Sequence, residues 1–258
     1  MHPDRLPLLL ALLCLSLAPV AARADDGATT VAVGAGMQRM PAWAGSRHER
    51  VDPIPFVDIE LPRAGFSLST QNGLQFDLIR GQQLHGGLYG SFQWGRDRDD
   101  LRTLAGKVPA LASRATGGGY LEWDFTPQLN LSAFLSHDLA GAGAYTELQL
   151  EWDPPMPGLM EQSLQLRWQS MNGAAMRRFF GITPDAAQAL GVPAWAPGAG
   201  SQQLALAWDL FLPTSRHTGL AASLEYARLL GNAASSPLVA RFGTRNQVSC
   251  SLAFVYHL

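Results

Sequence analysis

The chain has 258 residues, 47% of them hydrophobic and 16% charged, with 26 glycines and a formal net charge of −2. Charge so close to zero does not suggest a nucleic-acid-binding protein, and no nucleic acid is expected as a partner; past the first two dozen residues no stretch approaches the run of about 18 apolar residues that a spanning helix needs. Helical membrane crossing is therefore excluded, while length alone leaves open one large all-β domain or two smaller ones.

Residues 1–24 carry Arg5, an apolar run over 6–20, and then Ala22-Arg23-Ala24 before Asp25. A basic start, an apolar middle and small residues at the cut describe a Sec-type signal peptide removed after Ala24, leaving 25–258 as the mature domain. Losing Arg5, Arg23 and Asp4 takes the net charge from −2 to −3. Cys14 lies inside the apolar run, but Leu13 precedes it where lipoprotein processing wants a small residue, so no lipid anchor is expected. Cys250 is then the mature chain's single thiol and has no partner for a disulfide.

From Thr30 onward apolar and polar residues alternate in short segments broken by Gly, Pro and Asp clusters, which is the period of strands. The first segment covers 30–38, with Val31, Val33, Ala35 and Met37 alternating, and a loop rich in Arg and Pro follows over 39–53. Segments 54–61 and 65–70 pair around Pro62-Arg63-Ala64, and 74–79 follows the turn signal Gln71-Asn72-Gly73. The fifth, 84–94, sets Leu84, Leu88, Phe92 and Trp94 against His85, Tyr89, Ser91 and Gln93. After a charged loop over 95–116, strands are predicted at 117–126 and 129–136. In the eighth, Leu148, Leu150 and Trp152 alternate with Glu147, Glu151 and Asp153, three carboxylates that need water. Strands at 163–170, 202–212 and 218–226 follow.

The last segment, 246–258, puts Val248, Cys250, Leu252, Phe254, Tyr256 and Leu258 on one face, where the Cys250 thiol behaves as a small hydrophobe against lipid. An oily strand running to the carboxyl end with alternating aromatics looks like the closing strand of an outer-membrane barrel. Phe254, Tyr256 and Leu258 are the candidate signal for the barrel-assembly machinery. The expected fold is an all-β transmembrane antiparallel up-and-down barrel of about twelve strands. Loop length agrees: short turns fall after even-numbered strands and long loops, near 39–53, 95–116, 171–201 and 227–245, after odd ones. Trp94, Trp123, Trp152, Trp168 and Trp208 lie on oily faces, as an interfacial girdle requires.

Several stretches carry a family resemblance. Phe179-Phe180-Gly181-Ile182-Thr183-Pro184, then Gly191-Val192-Pro193-Ala194-Trp195, resemble the long loop of the MipA/OmpV family of Gram-negative outer-membrane proteins. Residues 228–239 and 243–247 are similar to its final loop and strand; Gly34-Ala35-Gly36, Pro53-Ile54-Pro55-Phe56-Val57-Asp58 and Gly95-Arg96-Asp97-Arg98-Asp99-Asp100 fit as well. Two departures stand out: residues 169–178 are amide-rich and basic where the family is often acidic and aromatic, and Leu258 replaces a usual terminal Phe. The resemblance implies an outer-membrane barrel embedded in lipid. It also implies a scaffold joining a murein transglycosylase to a murein synthase, while other members look like porins or adhesins.

The inward-facing candidates are Glu122, Asp124, Glu147, Glu151, Asp153, Asp209 and Glu225, with Arg167. They line either a cation-leaning conduit or an ion-paired plug. Phe179, Phe180, Gly181, Thr183, Pro184 and Trp195 are the extracellular loop candidates, with Thr183 capping a short helix. That loop plugs the mouth, meets a partner or packs on the rim. Ser136-His137-Asp138 holds the residue types of a hydrolase triad, but strand neighbours point to opposite faces, so no catalytic residue is assigned. His48, His85, His217 and His257 lack metal-ligand spacing, and no phosphate loop precedes a helix, so neither metal nor cofactor is expected. The favoured role is a non-enzymatic scaffold, followed by a small diffusion channel or adhesin, and then an outer-membrane lipid hydrolase.

Overall fold

A computed structural model describes residues 29–158 and 160–258. The expected signal peptide, Cys14 and the cut after Ala24 lie outside the described residues. Twelve antiparallel strands close into one barrel: β1 (Thr30–Pro41), β2 (Glu49–Leu61), β3 (Phe66–Ser69), β4 (Gly73–Arg80), β5 (Leu84–Gln93), β6 (Arg114–Thr126), β7 (Leu129–Asp138), β8 (Ala144–Trp152), β9 (Glu161–Met171), β10 (Gly200–Pro213), β11 (Thr218–Leu229) and β12 (Asn246–His257). Each pairs with its neighbours in sequence, and β12 closes the ring on β1, Ala32 opposite His257 and Arg39 opposite Cys250.

The alternation that defines the strands also sorts their faces. Leu88, Trp123, Leu135, Leu206, Leu252 and Phe254 all point outward and are more than half exposed, and Cys250 is exposed on the same face. The inner face is small or polar, with Ala32, Ser132, Gln149, Gln165, Ala205, Ala207 and Ala253 all buried. A surface this oily around a polar interior is stable only where hydrocarbon replaces water outside. Trp94, Trp123, Trp152 and Trp208 stand exposed in the outer belt; Trp168 is half-buried, its indole N–H donating to Ser201 Oγ at 3.1 Å.

The termini and the short turns 62–65, 81–83, 127–128 and 214–217 share one end of the barrel, which the short-turn rule makes periplasmic. The region read as a loop over 39–53 is mostly wall: β1 runs to Pro41, β2 starts at Glu49, and only 42–48 connects them. Pro53 and Pro55 obscured this, because proline ordinarily breaks a ladder. Here the Val57 N–H donates to Thr70 Oγ1, Val57 O accepts from the Thr70 amide, and Pro55 O accepts from Thr70 Oγ1, so the odd-numbered peptide groups of β2 face β3 rather than β1. β3 reaches only Asp58–Leu61 of β2, so Pro53 and Pro55 lie on an edge where no strand needs their N–H.

The β3–β4 hairpin turns back at 70–72, below the other extracellular connections. Above it, residues 49–54 of β2 pair with β1 alone, and residues 91–93 of β5 pair with β6 alone.

At the extracellular end the long loops fold into a cap. It contains α1 (Arg98–Leu101), α2 (Gly173–Phe180), α3 (Pro184–Leu190), α4 (Gly231–Ser235) and α5 (Pro237–Phe242). Local chemistry starts each turn: Asp97 and Asp100 form a capping box on α1, and Asn172 Oδ1 accepts from the Ala175 amide at 2.9 Å. Thr183 caps α3 ahead of Pro184, which Gly191 ends in the left-handed region at φ 64°. Ala42 and Trp43, Leu101 and Leu104, Met176 and Phe180, and Leu238 and Val239 join Tyr145, Met171 and Leu229 from the strand tops in one apolar cluster. Residues from all round the ring meet in it, so the cluster spans the mouth.

Candidate functional site

Inside the wall, a belt of carboxylates is held mainly by neutral donors. Ser132 Oγ donates to Glu122 at 2.9 Å, and His85 Nε2 lies 3.1 Å from Asp124. Glu151 accepts from Gln149 and Gln165, each at 3.0 Å, and from the Ser163 hydroxyl; the Gln169 amide donates to Glu147. Arg167 pairs with Glu225. Charges taken partly out of water are costly unless their lone pairs are filled, and amide and hydroxyl donors from adjacent strands do this.

One contact crosses the interior. Gln71, at the tip of the β3–β4 hairpin, donates from Nε2 to Asp209 Oδ1 of β10 at 3.0 Å. Four strands separate β3 from β10 on the shorter way round the wall, so the hairpin tip leans into the lumen and bridges it.

Beneath the cap lies a cavity of about 230 Å³. Gln93, Gln169, Gln202, Gln203 and Gln247 form an amide-rich side with Glu225 and Ser249, faced by Met40, Trp43, Met171 and Phe179. Arg50 stands at its margin, 2.9 Å from both Asp52 and Asp100. Arg96 holds the roof: its Nη1 donates to Phe179 O at 2.9 Å, and burial, with Arg178 adding to it, lowers its pKa to about 10. Gln247 ties β12 to the first loop, accepting from the Gly45 amide at 2.8 Å and donating to Ser46 O at 3.2 Å.

Of the inward candidates, Glu122, Asp124, Glu147, Glu151, Arg167, Asp209 and Glu225 face the interior and join the network above. Asp153 sits one residue past β8, exposed at the periplasmic rim. Phe179 and Phe180 are buried in the cap, Thr183 and Pro184 start α3, and Gly181 ends α2. Trp195 exchanges backbone hydrogen bonds with Ile182 at 2.8 and 2.9 Å and packs against the cluster half-buried. The loop aromatics are therefore the cap's own core, and Phe180 offers nothing to a partner while the cap is shut.

Ser136 and Asp138 point inward and are buried, whereas His137 turns outward. Asp138 is engaged by Arg114 at 2.7 Å and the Tyr145 hydroxyl at 3.0 Å, so no Ser–His dyad forms. Phe254 and Tyr256 face outward on the closing strand, and Leu258, one residue past it, is exposed. Sequence reading passed over Arg50, hidden in the supposed loop, and the glutamine set. Gln93, Gln203 and Gln247 were visible as polar members of alternating strands, but nothing local showed that they converge.

The pattern defining the MltA-interacting protein MipA family matches residues 33–258. No curated protein matches the chain. Among solved structures, an outer membrane channel from Pseudomonas putida F1 is 9% identical with a TM-score of 0.42, covering 94% of this chain and 100% of that one. The NanC porin is 11% identical with a TM-score of 0.39, covering 89% and 100%. The N-terminal β-barrel domain of Pseudomonas aeruginosa OprF is 12% identical with a TM-score of 0.28, covering 69% and 100%. Nearly the whole of the described barrel thus falls within one family match, and this outer-membrane β-barrel protein belongs to the MltA-interacting protein MipA family.

Proposed function

We propose that this chain is a closed, non-enzymatic barrel that holds murein-remodelling enzymes at the inner face of the outer membrane, a transglycosylase first among them. The observation that carries this reading is the closure of the lumen. An apolar cap spans the mouth and the Gln71–Asp209 bridge crosses the interior, which argues against steady diffusion and leaves the periplasmic rim as the working surface. The family's name, MltA-interacting protein, points the same way. On one stretch of that rim Glu60 lies close enough to Asp58 and Glu161 to feel both charges, and Asp153 sits near Glu151 and Glu161, so a basic face on the partner suits that stretch. Residues 1–24 act as the Sec signal, cut after Ala24, and 25–258 are the mature chain, delivered to the assembly machinery by its last strand.

The test is binding of a purified murein transglycosylase, and then of a murein synthase, to the refolded mature barrel in vesicles. Saturable binding that weakens with salt and with Asp153→Asn plus Glu161→Gln is expected. Absence of binding by either enzyme, together with a steady single-channel conductance, would replace this reading with a diffusion channel. The inward carboxylates already favour that as the second reading.

A further inference from the structure

The wall is incomplete on its extracellular half. Above the β3–β4 tip, β2 and β5 face one another with no strand between them. In hydrocarbon every unpaired backbone N–H is costly, and the β2 edge is built to carry few: Pro53 and Pro55 lie where the N–H would point into the opening. On the other margin Gly90 O points at Gly73, so by alternation Phe92 turns its backbone groups toward the opening. Outside, the margins are oily: Val51 is 58% exposed, Phe92 and Trp94 50% each. Inside, Ile54 and Phe56 alternate with outward Pro53 and Pro55, which makes the inner face beside the opening apolar. The cavity beneath the cap is lined by Phe92 and Trp94 as well as by Gln93, Gln203 and Gln247, so it runs from the membrane face to the interior.

We propose that this opening between β2 and β5 is a lateral port through which the acyl chain of an outer-leaflet amphiphile reaches the cavity beneath the cap. The occupant's chemistry follows from the lining. Met40, Phe92, Trp94 and Phe179 suit an alkyl chain, and the glutamine amides suit an uncharged hydroxyl or amide group near its end. At about 230 Å³ the space falls below the ~300–1,000 Å³ of sites that enclose drug-sized ligands, so it takes a chain end and leaves a bulky headgroup outside. Arg50 lies at the upper margin, its guanidinium carbon 5.8 Å from the centre of the Trp94 ring, where an outer-leaflet headgroup would lie. This inference does not depend on the scaffold reading.

Cysteine labelling of the refolded full barrel in phosphatidylcholine vesicles tests it. In a Cys250→Ser background, which removes the lipid-facing thiol, Ser91→Cys places a thiol inside the wall beside the port, and Ser223→Cys places one inside the wall on β11. Each is labelled with N-dodecylmaleimide, delivered through the bilayer, and with a sulfonated, water-soluble maleimide that corrects for lumenal accessibility. Partitioning concentrates the dodecyl reagent in the bilayer for both variants alike, and only the port gives it a path to the thiol, so the dodecyl-to-soluble rate ratio should be roughly tenfold or more higher at Ser91→Cys than at Ser223→Cys. Equal ratios would overturn the port. Should Ser91→Cys fail to insert, Gln93→Cys against Ser251→Cys makes the same comparison.

Discussion

Phe180→Ala should open the cap and leave the barrel standing. Phe180 is 0% exposed and sits among Met176, Leu238 and Val239, all within the cluster that spans the mouth. Truncating a buried Phe costs about 3–5 kcal/mol, the lost transfer energy plus the cavity left behind. The cap's core is separate from the ladder hydrogen bonds of the wall, so the loss falls on cap opening, raising its equilibrium constant by roughly two to three and a half orders of magnitude. Trypsin reads this directly at Arg177 and Arg178, which the α2 helix protects until it opens locally. When reclosing outpaces cleavage, the cutting rate follows the open population. In proteoliposomes the variant should be cut at α2 far faster than wild type while keeping the heat-modifiable migration of an intact barrel. Cleavage within about threefold of wild type in a properly inserted variant would refute the claim that one cooperative apolar core shuts the mouth.

Opening the cap also exposes the lumen to measurement: Phe180→Ala combined with Gln71→Ala, which removes the bridge to Asp209, should conduct in planar bilayers with a cation preference that falls when Glu147→Gln and Glu151→Gln are added, and an unchanged preference would remove those side chains from the path. Gly45→Ala should loosen the cap by about 1–3 kcal/mol, seen as faster α2 cleavage, because φ is +102° there and a Cβ would stand 2.6 Å from Val239 Cγ2. Burial holds the Asp100 carboxyl above the usual carboxylate range despite the Asp97 amide and Arg50. A raised folded value means the native cap keeps a proton that the unfolded chain has released. Its stability therefore grows as pH falls through that value and levels off below the unfolded one, about 3.9. Near-UV circular dichroism melts at pH 7 and pH 4 should show this increment in wild type and not in Asp100→Asn. Ser236→Ala should destabilise the cap by about 1–3 kcal/mol in the same melts, since its buried hydroxyl donates to Phe180 O at 2.7 Å and would leave that carbonyl unpaired.

Strand identity was readable residue by residue, because a barrel wall writes its two environments at period two. Leu148, Leu150 and Trp152 outward with Glu147 and Glu151 inward needed no tertiary information, nor did the oily face of β12. Capping chemistry was equally local, so Thr183-Pro184-Asp185 announced α3. α1, α2, α4 and α5 were not anticipated, being short and stabilised largely by what they pack against. Pro53 misled because a proline reports only that one N–H is missing; whether a neighbouring strand needs it depends on where β3 ends, and β3 is set by a turn fifteen residues beyond Pro55.

By itself, then, the sequence determined that this chain alternates, that its large apolar side chains lie on one face, and that its loops are long at one end only. Those are consequences of nearest-neighbour geometry and of lipid as the outer solvent. Only the tertiary structure decided that the loops share one core over the mouth, that Gln71 meets Asp209 across the lumen, and that the wall stops short between β2 and β5. These depend on contacts between residues far apart in the chain, Gln247 with Gly45 or Ser236 with Phe180, whose partners no local pattern specifies.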